Sequence, residues 1–189
     1  MRDSEFIIQQ ISNLCAKADA YIDTQGRSFI HEMVEEDDIF GLEYLIRQKT
    51  NINLADKNGN TALHYAAYHN RLDILVTLIN HSVKLNKANK QGATALHIAV
   101  KKGHLDFCKA LMEAGANPNK QQKNGKTPLH YAAEYGHVEV IGYMLQNRGD
   151  LFARTEKGQT ALELAKSHNQ TEVAEILDKI MQHFAYRIS

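Results

Sequence analysis

Ten histidines among 189 residues raise the question of a metal before any other. His130, Glu134 and His137 have spacings of four and three, which place ligands on one face of a helix. Gly136 stands between the last two, and a glycine there marks a helix end, so no metal is expected. His31-Glu32-Met33-Val34-Glu35 opens like a zinc-protease motif but lacks the second histidine. Gly125-Lys126-Thr127 imitates the end of a phosphate-binding loop, yet Lys120 occupies the place of the required earlier glycine. No dinucleotide fingerprint and no nucleophile elbow occur. Neither catalysis nor a cofactor is expected.

Four histidines instead point to repetition. Gly26, Gly59, Gly92, Gly125 and Gly158 each follow the last by 33 residues. Five residues after each glycine come His31, His64, His97, His130 and then Glu163. The period divides the chain into units at 23–55, 56–88, 89–121, 122–154 and 155–189, after an N-terminal segment at 1–22. Asn58-Gly59 and Asn124-Gly125 signal tight hairpins in which both residues take positive φ. Thr61, Thr94, Thr127 and Thr160 follow where a helix starts and can cap it. Pro128 fits the first helical position, where a missing N–H costs nothing.

That first helix is short and rich in alanine. It should end at the aligned Asp37, Asn70, Gly103, Gly136 and Asn169, all types that tolerate a left-handed backbone. A second helix follows with three apolar columns. One holds Ile39, Leu72, Leu105 and Val138; the next, Leu42, Leu75, Cys108 and Ile141; the third, Leu45, Leu78, Leu111 and Met144. No unit can bury such a face alone, so stacking must supply the core. Residues 4–20, with Ile7, Ile11 and Leu14, read as a capping helix. Thr171–Met181 reads as the last second helix, extended towards Phe184.

The run Thr127-Pro128-Leu129-His130-Tyr131-Ala132-Ala133 closely resembles the ankyrin repeat signature, and the resemblance spans about residues 23–180. It implies an all-α repeat solenoid, ankyrin repeats with β-hairpin fingers and terminal capping helices. It also implies a protein-binding module or adaptor and not an enzyme. The family uses the repeated histidine to brace hairpin and helix start, and Asn53, Asn86 and Asn119 for structural hydrogen bonds; in animal cytosol hydroxylases modify that asparagine position.

Composition agrees with a globular chain: 43% hydrophobic and 23% charged residues, with a formal net charge of zero. The charge is uneven. Residues 1–50 hold five basic and ten acidic side chains, 51–126 eleven and four, and 127–189 six and eight. A balanced total argues against general nucleic-acid binding. No apolar run of roughly 20 residues needed for a membrane span occurs, and the start, Met1-Arg2-Asp3-Ser4-Glu5, is unlike a signal peptide. Cys15 and Cys108 alone cannot build a disulfide framework. A monomer in a reducing, cytoplasmic setting is expected. Abundant Asn, Lys and Ile fit an AT-rich genome, and similar ankyrin proteins of intracellular bacteria are delivered into host cytosol.

A partner protein is expected on the concave face, where family members bind. Tyr65, Ile98 and Tyr131 form one first-helix column there; Tyr68, Lys101 and Glu134 a second; His69, Lys102 and Tyr135 a third. Tyrosine offers apolar area with a polar tip. Lys57, Lys90 and Lys123 add a basic ladder along the finger tips, extended by Lys87, Lys120 and Lys126, suited to an acidic stretch of the partner. Inhibition of a partner enzyme is the alternative outcome of such binding.

Overall fold

Each unit folds as two helices joined by a tight turn that contains one left-handed residue. The computed structural model describes residues 23–188, so the expected capping helix at 1–22 lies outside the described residues. Within them ten helices form five successive pairs. These are α1 (Phe29–Glu35) with α2 (Ile39–Arg47), α3 (Ala62–His69) with α4 (Leu72–Asn80), and α5 (Ala95–Lys102) with α6 (Leu105–Glu113). Then follow α7 (Pro128–Tyr135) with α8 (Val138–Gln146), and α9 (Ala161–Ser167) with α10 (Thr171–Ile188). The described residues divide into an N-terminal lobe, up to Lys84 with Ala88–Lys90, and a C-terminal lobe, Leu85–Lys87 with Gln91 onward. Each lobe has the architecture of an all-α repeat solenoid.

Helix starts follow the expected chemistry. Ser28, Thr61, Thr94, Thr127 and Thr160 are the N-caps, all in extended backbone. The histidine three residues on reaches back: Nδ1 of His31, His64, His97 and His130 accepts the cap N–H over 3.0–3.2 Å. An accepting Nδ1 leaves the proton on Nε2, which donates to the following finger. His31 donates to the Asn60 carbonyl, His97 to Lys126 and His130 to Gln159, over 3.1–3.3 Å. Burial lowers the pKa of His31 and His130 and keeps both rings neutral. Glu163 does the first half of this task in the last unit, accepting from Thr160 N–H at 2.7 Å.

All five predicted terminators of the first helices are left-handed, with φ of 57–79° at Asp37, Asn70, Gly103, Gly136 and Asn169. Gly136 therefore turns the chain between Glu134 and His137, which removes the helical register a zinc site needs. Asn53, Asn86 and Asn119 hold the neighbouring loops: each Oδ1 accepts a backbone N–H, from Lys84, Asn117 and Asp150, over 2.7–2.8 Å.

The fingers depart from expectation. Only the glycines of the Asn-Gly pairs are left-handed, φ 83° at Gly59 and 75° at Gly125. Asn58 instead donates its N–H to Asp56 Oδ1 at 2.8 Å, and Gly59 N–H closes on the Asp56 carbonyl at 3.0 Å. The aspartate side chain thus holds the turn in place of a two-residue hairpin. Ala55 and Thr61 form an isolated antiparallel β-bridge. What binds the fingers is direct backbone pairing. Lys57 N–H donates to Gln25, Lys90 to Asn58, Lys123 to Gln91 and Glu156 to Asn124, over 2.8–3.1 Å. A Cβ on Gly59 would lie 2.8 Å from Lys90 N, so close approach and backbone sign both demand glycine.

The core also corrects one column. Leu42, Leu75, Cys108, Ile141 and Leu45, Leu78, Leu111, Met144 are buried as expected. Ile39, Leu105 and Val138 are only half-buried and Leu72 is exposed, because they open their helices at the first position. The buried third column is Ile74, Phe107 and Val140. In the first pair Gly41 takes that place, and Met33 Sδ fills the space its side chain would need. The last helix runs to Ile188, beyond the predicted Phe184. Phe184 packs edge-on against Phe152, with ring centroids 6.0 Å apart.

Candidate protein-binding surface

Helices α3, α5 and α7 bury the cap, the histidine and the paired small residues that follow, and expose side chains only at their C-terminal ends: Tyr68, His69, Lys101, Lys102 and Tyr135. In the N-terminal lobe, Tyr65 is half-buried and its hydroxyl donates to Asp56 Oδ2 at 2.9 Å. Its ring meets His31 edge-on at 5.3 Å. Burial pushes its phenol pKa well up. Tyr65 therefore braces the finger from inside. Tyr68, one helical turn on, is 52% exposed, and its ring meets that of the exposed His69 at 5.0 Å. Arg27 bridges Asp23 and Glu35 in the same lobe. Lys57 and Lys90 are exposed on successive fingers.

The C-terminal lobe repeats the brace. Half-buried Tyr131 donates its hydroxyl to Gln122 Oε1 at 2.9 Å, as Tyr65 does to the aligned Asp56. Ile98, in the same column, is half-buried. Tyr135 is 43% exposed and lies between two rings: Tyr131 at 6.4 Å and His137 at 6.3 Å, with interplanar angles of 27° and 10°. The Lys101 ammonium sits 5.5 Å from the centroid of Tyr135 and 5.9 Å from that of Tyr131. Lys102 and Lys123 are exposed.

Glu134 is more enclosed, its side chain 15% exposed. One oxygen pairs with Lys126 Nζ at 2.6 Å and the other lies 3.4 Å from His168 Nε2. Lys126 also sits over the Tyr131 ring, so the expected extension of the ladder to Lys126 does not hold. Ser167, the smallest residue of the Glu134 column, helps line a cleft of about 450 Å³ with Lys126, Glu134, Glu156, Lys157 and His168.

Two features escaped the sequence reading although their signal was periodic. The residue at the finger position of Lys57, Lys90 and Lys123 is acidic in the last unit, Glu156, which ends the basic run. One residue past three of the five left-handed terminators, a side chain reaches back to the first helix of the preceding unit. Arg71 donates to the Glu35 carbonyl, His137 to Lys101 and Gln170 to Glu134, over 3.2–3.3 Å. These bonds satisfy carbonyls at a helix end that have no partner within the helix.

No group of three histidine, cysteine, aspartate or glutamate side chains among the described residues is arranged to hold a metal. No helix among them is long and apolar enough to cross a membrane. The family described as ankyrin repeats (3 copies) matches residues 30–122 and again residues 114–183. No curated protein matches the chain.

Proposed function

This chain belongs to the ankyrin repeat family, and we propose that it works as a protein-interaction module. Its five repeats would occupy 23–55, 56–88, 89–121, 122–154 and 155–189, with the partner held where first helices and fingers meet. Ankyrin repeats are in general protein-binding units. The observation that carries the reading is Tyr135. It is exposed yet held between Tyr131 and His137, so a partner gains its apolar area without ordering a free side chain. Tyr68, exposed with one edge-on contact to His69, is its counterpart in the N-terminal lobe. Tyr65 and Tyr131 contribute indirectly, by fixing the fingers.

Affinity capture with mass spectrometry tests this, comparing the native chain with the Tyr68→Ala, Tyr135→Ala double variant. A partner lost only from the folded variant supports the surface. A partner retained at full yield places binding elsewhere on the protein. Whether binding recruits or inhibits is read from the captured partner's activity with and without the chain. A host-cell protein as that partner would support delivery as an effector into host cytosol.

A further inference from the structure

We infer that Lys101, held by Tyr131 and Tyr135, recognises a carboxylate on an acidic segment of the partner. The inference rests on the protein-binding reading and names the partner's chemistry at that surface. Lys101 makes no ion pair with a carboxylate among the described residues; its ammonium faces the two tyrosine rings instead. Ring faces hold an ammonium in place without consuming its hydrogen-bond donors. A carboxylate can therefore bind it without first breaking an intramolecular pair.

The acid that could compete is already engaged. Glu134, aligned one unit later with Lys101, is held by Lys126 and His168. The second first-helix column of the C-terminal lobe, Lys101, Glu134 and Ser167, thus keeps one uncompensated charge, and it is positive. Exposed Lys102 follows on the same helix, and exposed Lys123 stands on a finger of the same lobe. A basic partner segment is disfavoured on two counts. The faces that would attract its cation already hold Lys101, and a second ammonium there would be repelled. The exposed side of Tyr135 leaves room for an apolar residue next to the carboxylate. Phosphate is the other common polyanionic ligand, but Glu156 replaces lysine on the next finger, which breaks the continuous basic track that a nucleic-acid backbone requires.

A display library of random dodecapeptides, selected on the native chain and on Lys101→Glu, tests the inference. The native chain should enrich peptides carrying Asp or Glu beside an aromatic or apolar residue. A selected peptide should bind Lys101→Glu at least about tenfold more weakly and lose its salt dependence in part with Lys101→Met. Lys101 is exposed, so unchanged melting of both variants verifies that the fold is intact. The inference is overturned by peptides without acidic bias, by Lys/Arg enrichment, by an unchanged selection on Lys101→Glu, or by no selection at all. Tight, Lys101-dependent binding of a single-stranded oligonucleotide at physiological salt also overturns it. Peptides that need Tyr135 but carry no acid would leave the protein-binding reading standing while this one falls.

Discussion

The Nε2–H of His130 donates to the carbonyl of Gln159 over 3.1 Å, while its Nδ1 accepts the N–H of Thr127, also over 3.1 Å. One neutral ring so closes the start of α7 and fastens it to the next finger. Protonation of Nδ1 would turn its acceptor into a donor facing another donor. The same ring placement recurs at His31 and His97, which makes a residue type chosen for geometry into a determinant of stability.

Stability should therefore fall on mild acidification. Burial holds the folded pKa of His31 and His130 below the ordinary value, whereas unfolded histidine protonates near pH 6.5. Below that pH the unfolded chain binds more protons, so their contribution is complete above about pH 6.5 and is lost as pH drops. Each ring can contribute a slope of up to about 1.4 kcal/mol per pH unit. Urea midpoints taken between about pH 5 and 7.5 should decline towards acid, and less steeply in His130→Gln. A flat profile for the native chain would contradict neutral, accepting rings.

Alanine at two glycines of the same column should behave differently. A Cβ at Gly125 would collide with the backbone N of Glu156, while one at Gly158 would meet nothing within 4 Å. Both share a φ of 75°, so both carry the strain of about 1 kcal/mol expected for a left-handed residue. Gly125→Ala adds the displacement of the neighbouring finger and should cost at least about 2 kcal/mol more. Equal losses in denaturant titrations would mean that the fingers do not constrain each other.

Charge reversal at Lys57, Lys90 and Lys123 should slow association with a partner without unfolding the chain. All three side chains are exposed, and their structural contribution is the backbone N–H, which any residue but proline supplies. The association rate of the triple glutamate variant should drop several-fold at low salt and approach the native rate at high salt. Stopped-flow kinetics indistinguishable from native at low salt would remove the ladder from the mechanism.

Cys108 should be inert as a thiol and important as a filler. It is fully buried on α6, and burial pushes its pKa up to about 12. A thiol reagent at mildly alkaline pH should label it only as fast as the chain unfolds. Cys108→Ser, which places a hydroxyl in an apolar site, should cost about 1–3 kcal/mol. Rapid stoichiometric labelling of the folded protein at this position would overturn the burial.

Period and residue type together determined most of what is local here. Caps at threonine and terminators at Asp37, Asn70, Gly103, Gly136 and Asn169 were legible, because each depends on backbone preference and hydrogen bonding within a few residues. The bracing role of histidine, whose Nε2 bonds a carbonyl 29 residues on, came only through the family resemblance. The exposure of Tyr68 and Tyr135 was expected through that resemblance, as positions normally exposed in the family. Tertiary packing decided the rest. Ile74, Phe107 and Val140, and not the helix-opening column of Leu72, became core, which only the packing of the second helices against their neighbours could decide. Asp56 settled the turn that Asn58-Gly59 alone suggested as a tighter one. Lys126 left the ladder for Glu134, and Lys101 moved onto two tyrosine rings, because side chains 8 to 34 residues apart choose partners only once stacking sets their distances.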